Sequence, residues 1–356
     1  MSSRPRSALV VGGGVIGTTT AYRLARAGWR VTLFDPTPGR GASWAAAGML
    51  APIAEIAPGE KENFRQQRGA LTAWRELADE LAVVTGDALT IAATGTLLVG
   101  FDASDRRLVD QFEEVATSFA APSRRVQREV DVDAFQGVSP RVREGVLLEG
   151  DAWLDPDEAM CVLQKANEIL GVEVVAERVL DAAFGESGVE VRTSEGTTRA
   201  GIGVVATGAA SLPAGLRHRA VHHVRPVRGM TVRLEGFDRS NQPTLRAFVR
   251  GRSLYLVSRP GGYCVLGASS DEQAELAVEV GELQRLLRDA LELVPALECA
   301  TFRETRQGLR PASDDLAPFV EVIDQRWIWT SGHYRHGVTL APLTATAACE
   351  LAEKMS

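Results

Sequence analysis

The chain has 356 residues, 45% hydrophobic and 24% charged, an ordinary globular mix that excludes disordered and fibrous classes. At roughly 100–200 residues per domain its length favours two domains. The net charge of −7 argues against nucleic acid as the main partner, since phosphate binding is carried by clustered Lys and Arg.

The first apolar run is strand-like from Ser7, so no signal or transit peptide is expected ahead of it, and the cytoplasm is the expected compartment. This run breaks into glycines and then into a helical pattern. Gly12, Gly14 and Gly17 form G-x-G-x-x-G. The first glycine permits a tight turn and the second lets the backbone approach a pyrophosphate. The third lets the following helix pack closely, with its positive end toward the phosphates. That helix, from Val15 to about Ala27, is rich in small residues, and Gly28 closes it. A second strand ends in Asp35, roughly twenty residues on, where an acid can bond ribose hydroxyls. An acid there disfavours a 2′-phosphate and with it NADP, and leaves both FAD and NAD.

Residues 35–52 read as a loop of small residues suited to backbone approach to a flat ligand. A long helix is expected over about 60–81, with Phe64, Leu71, Trp74, Leu77, Ala78 and Leu81 on one face. Short strands alternate with charged segments up to residue 149, with a helix around 107–116. Asp155-Pro-Asp-Glu158 is a helix start, with Asp as N-cap and Pro at the first position; Met160, Leu163, Ala166, Ile169 and Leu170 point inward. A parallel strand is expected over 172–175, a hairpin over 188–196, and a buried strand ending in Ala206-Thr-Gly208. Alternating strands then run from 224 to 267, a helix over 282–294, a last strand over 326–331 and a small-residue helix over 339–354. This order suggests a nucleotide domain interrupted by an antiparallel substrate domain.

Cys161, Cys264, Cys299 and Cys349 lie far apart with no C-x-x-C pair and are expected reduced and buried. His218, His222 and His223 sit in a loop without an accompanying acid or cysteine, so no metal site is expected. There is no Gly-x-Ser-x-Gly elbow of a hydrolase.

The glycine fingerprint with Asp35, Ala42-Ser-Trp-Ala-Ala-Ala-Gly48, Val204-Val-Ala-Thr-Gly208, Gly308-Leu-Arg-Pro311 with Asp314, and Gly332-His-Tyr-Arg-His-Gly337 follow in order. Together they closely resemble the D-amino-acid oxidase family of flavoproteins, and within it the glycine oxidases of bacterial thiamine synthesis. The resemblance implies an α/β fold: a Rossmann-type FAD-binding domain (1–85, 150–215, 300–356) interleaved with an antiparallel-sheet α+β substrate domain (86–149, 216–299). It implies non-covalent FAD, a small amino-acid substrate and O2, with oxidation to the imine and release of hydrogen peroxide. A homo-oligomer stays open. Gly12, Gly14, Val15, Ile16, Gly17 and Asp35 would hold the nucleotide, with Val179, Thr207 and Gly208 beside them. The backbone of Ser43, Ala46, Ala47, Gly48 and Met49 would lie along the flavin ring. Gly332, His333, Tyr334, Arg335, His336 and Gly337 would turn toward its pyrimidine edge.

The same resemblance makes Arg310 the substrate-carboxylate anchor, supported by Tyr255, with Arg335 lining the cavity. Three positions depart from the family pattern: Ser270 where a methionine is frequent, Met230 for glutamine and His336 for asparagine. No carboxylate is expected beside ring and substrate, only His333 and His336 as bases. The alternatives are a flavin dehydrogenase or sarcosine-type oxidase with another electron acceptor, an NAD-dependent dehydrogenase, and a non-catalytic nucleotide-binding scaffold.

Overall fold

The computed structural model describes residues 6–56, 61–185 and 188–356. Six strands form the first sheet, in the order 319–324, 327–331, 202–205, 7–11, 30–34, 173–175. All pair in parallel except 319–324, which runs antiparallel at the edge. The Ser7–Val11 and Ile202–Val205 strands are almost wholly apolar and buried, as expected of strands covered on both faces. The Val15–Arg26 helix packs on Gly337–Lys354 and Pro156–Ile169. Its buried threonines are satisfied locally: Thr19 Oγ1 donates to the Val15 carbonyl at 2.7 Å and Thr20 Oγ1 to that of Ile16 at 2.8 Å. Pro342 interrupts the last helix and has no N–H for the Val338 carbonyl four residues back; Trp74 Nε1 donates to that carbonyl instead, at 2.8 Å.

A second sheet has eight strands, in the order 301–313, 224–235, 263–267, 252–259, 244–249, 96–100, 144–148, 124–127. Its two faces separate by alternation along each strand. Val232, Leu234, Leu266, Leu256 and Leu245 enter a core closed by Leu286, Ala290 and Leu293 of the Val280–Leu293 helix. The opposite face carries Thr231, Gly267, Tyr255 and Arg246 in one cross-strand row and looks onto the small-residue loop at 42–49.

Several elements differ from the sequence reading. The expected 60–81 helix is two helices, Lys61–Arg68 and Ala70–Thr85, with Gly69 between them, and its expected start at 60 lies outside the described residues. Glycine there weakens helix continuation, yet Phe64, Trp74, Leu77, Ala78 and Leu81 are buried as the periodicity demands. The loop at 35–52 contains a one-turn helix, Ala42–Ala45, and a short strand, Met49–Leu50. Ile169 is 54% exposed rather than inward, because it ends its helix past the last packed turn. The charged stretch after residue 300 is a 13-residue strand, Thr301–Ser313, at the edge of the second sheet; it falls in the 300–356 segment grouped with the nucleotide domain, but its backbone pairs with Val224–Glu235. Cys264 is buried, whereas Cys161 and Cys299 are exposed. No helix among the described residues is long and apolar enough to cross a membrane.

Candidate active site

A cavity of about 380 Å³ runs from the glycine turn, past the 42–49 loop, to the face of the eight-stranded sheet. At the end lined by the glycine turn Gly12 has φ +106°, and a Cβ there would stand 2.4 Å from the Ala206 carbonyl oxygen, so only glycine fits. Gly14 caps the first helix in extended backbone without a side-chain cap, and no acid occupies the first turn, so the positive helix end, whose Val15 N–H is taken by Ser43, carries no opposing charge at the cavity. Asp35 lines the same end; its Oδ2 accepts from the Gly13 N–H at 2.6 Å and its Oδ1 from Thr37 N–H at 2.7 Å. Each oxygen keeps a second lone pair for a hydroxyl donor. Ser43 Oγ accepts from the Val15 N–H at 2.9 Å, tying the loop to the helix start.

Ala46, Ala47, Gly48 and Met49 line the middle, with Ile16, Thr207 and Gly208. Gly48 has φ +78°, and a Cβ on it would lie 2.0 Å from the Leu154 carbonyl oxygen. The loop is thus pressed onto the Ala152–Leu154 strand, and its other side is free to meet a flat ligand.

At the far end the Arg310 guanidinium lies flat over Gly229, where an added Cβ would be 2.3 Å from its Cζ and both terminal nitrogens. It donates weakly to the carbonyls of Ser269 (3.3 Å) and Arg228 (3.4 Å) and has no acid partner among the described residues. The Tyr255 ring lies over Gly267 in the same way. Burial raises the Tyr255 phenol above its ordinary value, opposed by the Arg310 charge, so it stays protonated and able to donate. Ser270 lines the cavity, but Met230 is buried and does not line it, so only the first of these departures bears on ligand shape.

Contrary to the expectation from sequence, a carboxylate does stand here. Glu55 lines the cavity, Arg246 Nη1 is 3.1 Å from its Oε1, and Arg335 Nε is 2.6 Å from its Oε2. Burial alone would raise this carboxyl, but the Arg246 and Arg335 charges outweigh it and hold it at about 2. The turn bearing Glu55 is fixed by buried Asp151, which accepts from the Ile53 and Ala54 N–H groups at 3.0 and 3.2 Å. Glu55 was legible only as the single charged residue in the small-residue run 42–56.

Residues 332–337 turn from the last strand into the last helix. Gly332 has φ +78° and Tyr334 φ +45°, and the Tyr334 N–H donates to the Pro311 carbonyl at 2.7 Å. His333, Tyr334, Arg335 and Gly337 line the cavity, with Val338 and Thr339 behind them. The first amides of an 18-residue helix, which lack intrahelical partners, therefore face it. His333 Nε2 is 2.9 Å from Thr344 Oγ1. Burial, helped by His336, pulls His333 down to about 4; burial, with Glu55 opposing and Arg335 and Arg246 adding to it, does the same to His336, so both are neutral at neutral pH. Gly17, Val179, Gly332 and His336 do not line the cavity. Gly17 packs under the Gly12 carbonyl, Val179 joins the core beside Leu9 and Phe34, Gly332 makes the turn, and His336 caps the helix. His222 and His223 pair instead with Glu321 and Asp314, and no metal-holding group of acids, Cys and His occurs among the described residues.

The family model for FAD-dependent oxidoreductases of the DAO type matches residues 7–351. The chain belongs to that family. This FAD-dependent oxidoreductase is 30% identical to the glycine oxidase of Geobacillus kaustophilus, over 97% of this chain and 92% of that protein. It is also 30% identical to a putative thiamine biosynthesis oxidoreductase, ThiO, of Rhizobium etli, over 95% and 93% of the two chains. The crystal structure of the Geobacillus kaustophilus glycine oxidase superimposes with a TM-score of 0.88 at 25% identity, covering 98% of this chain and 95% of that one. The cavity suits FAD: a glycine cradle, a helix N-terminus with no acid in its first turn, an acid lining the same end and a slot walled by small residues.

Proposed function

We propose that this enzyme oxidises glycine, or an amino acid of similar size, to its imine with reduction of O2 to hydrogen peroxide, supplying the imine for thiazole formation in thiamine synthesis. The observation that carries this is the Arg310 guanidinium beside Tyr255, open to the cavity and unpaired with any acid among the described residues. Bound FAD supplies the acceptor for the hydride leaving Cα. Arg310 takes the substrate carboxylate through two parallel charge-assisted bonds, and the Tyr255 hydroxyl donates a further one. Glu55 draws Arg246 and Arg335 to itself, so Arg310 is the cation left for the substrate. His333 is neutral, and the charge of Glu55 is met by Arg246 and Arg335, so the turn opening the last helix offers its amides to the ring edge, where negative charge would develop on reduction. By the same reading Gly12, Gly14, Val15, Ile16 and Asp35 hold the nucleotide, and Ser43 and residues 46–49 face the ring.

Residues 1–85, 150–215 and 300–356 then form the FAD-binding part and 86–149 with 216–299 the substrate part, with the 301–313 strand as the crossover between them. A cytoplasmic location fits this role. The test is an amine panel read by peroxide release from flavin-loaded enzyme. Glycine, sarcosine and small D-amino acids are expected to react and L-amino acids poorly; faster turnover of L-amino acids than of glycine overturns the assignment.

A further inference from the structure

Four consecutive carbonyls of the small-residue loop are all held from one side. Arg233 Nη2 donates to the Ala46 carbonyl at 3.0 Å and to that of Trp44 at 3.3 Å. Thr231 Oγ1 donates to Ala45 at 2.9 Å, Arg259 Nη2 to Ala47 at 3.0 Å, and Arg306 Nη1 to Trp44 at 3.2 Å. A planar trans peptide points each following N–H the opposite way. The amides of Ala47 and Gly48 are thereby turned toward the cavity that both residues line.

The three arginines differ in how their charge is met. Arg259 pairs with Asp155 and Arg306 with Asp157 and Glu304, each at 2.7 Å. Arg233 is 1% exposed, has no acid partner among the described residues, and its Nη1 has no hydrogen-bond partner there. Burial, then the two neighbouring arginines, lowers its pKa to about 10, still well above neutral pH. A buried charge without a counter-ion is costly to keep. It becomes favourable when a negative charge develops across the loop.

We propose that Arg233 is a positioning residue for the flavin-facing loop, and that its uncompensated charge behind that loop raises the reduction potential of the bound flavin. This rests on the flavin reading above. Loss of a hydride from Cα of the neutral amine breaks the C–H bond and leaves an iminium cation, which becomes the imine when one N–H proton passes to solvent; a bound flavin would take up the hydride's two electrons and proton and so carry one more negative charge. The Arg233 charge favours the side of this equilibrium on which the ring is anionic. Arg233→Lys keeps a charge but replaces the planar guanidinium, whose single Nη2 reaches both carbonyls, with a point-like ammonium on a shorter stem that does not reach the same place; Arg233→Met loses both charge and donors.

The experiment uses purified flavin-loaded wild type, Arg233→Met and Arg233→Lys. Flavin content and FAD dissociation constant come from the absorption spectrum, and midpoint potential from anaerobic titration against a reference dye. Arg233→Met is expected to make two-electron reduction about tenfold less favourable, a drop of about 30 mV. Arg233→Lys is expected to keep the wild-type potential while binding FAD about tenfold more weakly. A wild-type potential in Arg233→Met overturns the charge role, and wild-type FAD affinity in Arg233→Lys overturns the positioning role. Should Arg233→Met not fold, Arg233→Gln takes its place: a potential about 30 mV below wild type supports the charge role, and a wild-type potential overturns it. Wild-type protein that binds no flavin is a different failure, that of the family reading itself.

Discussion

Gly229→Ala adds one methyl group where the Arg310 head group lies. The new Cβ would stand 2.3 Å from Cζ and from both terminal nitrogens of Arg310, whereas non-bonded heavy atoms sit at about 3.5 Å or more. The guanidinium must therefore move by about 1 Å. It can do so, because it is the far end of a flexible side chain. Gly229 is mid-strand opposite Gly308, without the positive φ that would bar an alanine. Fold and flavin content should consequently survive, while the proposed carboxylate anchor is displaced. A misplacement of about 1 Å can cost roughly 100-fold, equivalent to about 2.7 kcal/mol of transition-state stabilisation. The assay is kcat/KM for glycine by peroxide release, beside flavin content and thermal melting. Arg310→Leu should lose about 30- to several-thousand-fold, and the double variant should be no worse than Arg310→Leu, since both changes remove one interaction. Near-normal kcat/KM in a flavin-replete Gly229→Ala enzyme would refute the placement of the carboxylate on Arg310.

Gly14→Val should emerge largely free of flavin, because Gly14 lines the cavity and a Cβ with two methyls there would take space at the helix end where the pyrophosphate is proposed to sit; a normal flavin spectrum contradicts this. For wild type, kcat/KM should rise about tenfold per pH unit through the alkaline range until the amine pKa is passed, since the amine must be neutral to release hydride. His333→Ala and His336→Ala, checked for flavin, should keep flavin reduction within about tenfold of wild type. A thousandfold loss restored by added base would show that one of them takes the proton. The same histidines set acid stability: folded values of about 4 lie below the unfolded 6.5, so their contribution is complete above pH 6.5 and is lost as pH falls toward 4. Urea midpoints across that window should fall less steeply in His333→Ala than in wild type. Glu55, held at about 2, adds a second window in which stabilisation is full above pH 4.5 and lost as pH falls through 2, and which Glu55→Gln should remove.

The parts of the site that could be read from sequence are those whose geometry is local. Gly12, Gly14 and Gly17 fix a turn within six residues of one another, and the Asp155-Pro156 helix start forms as its spacing requires, with Asp155 accepting from the Asp157 N–H. Glu55 stands out in sequence only as a lone charge, and its place in the site could not be read, because what positions it, Asp151, lies 98 residues away from the Ile53 amide it holds. Arg246 sits on an alternating strand where a charge ordinarily means a solvated face, and only the pairing of that strand with 252–259 turns it inward beside Tyr255. The 301–313 strand was hidden by Arg303, Glu304, Arg306 and Arg310. An edge strand facing a polar site on one side has little apolar alternation to show.

The row Thr231, Gly267, Tyr255 and Arg246 runs across four hydrogen-bonded strands at a single level. Neighbouring strands are about 4.8 Å apart, so this wall of the pocket is a ruled plate whose gradations are strands. Changing which strand bears the tyrosine or the arginine relocates that group sideways by whole gradations, with every main-chain bond of the plate untouched. Residues two apart along one strand supply the second axis, about 7 Å per step. Divergence of substrate preference on such a surface proceeds by discrete jumps on a grid, and a relative that accepts a longer amine needs only a different square filled.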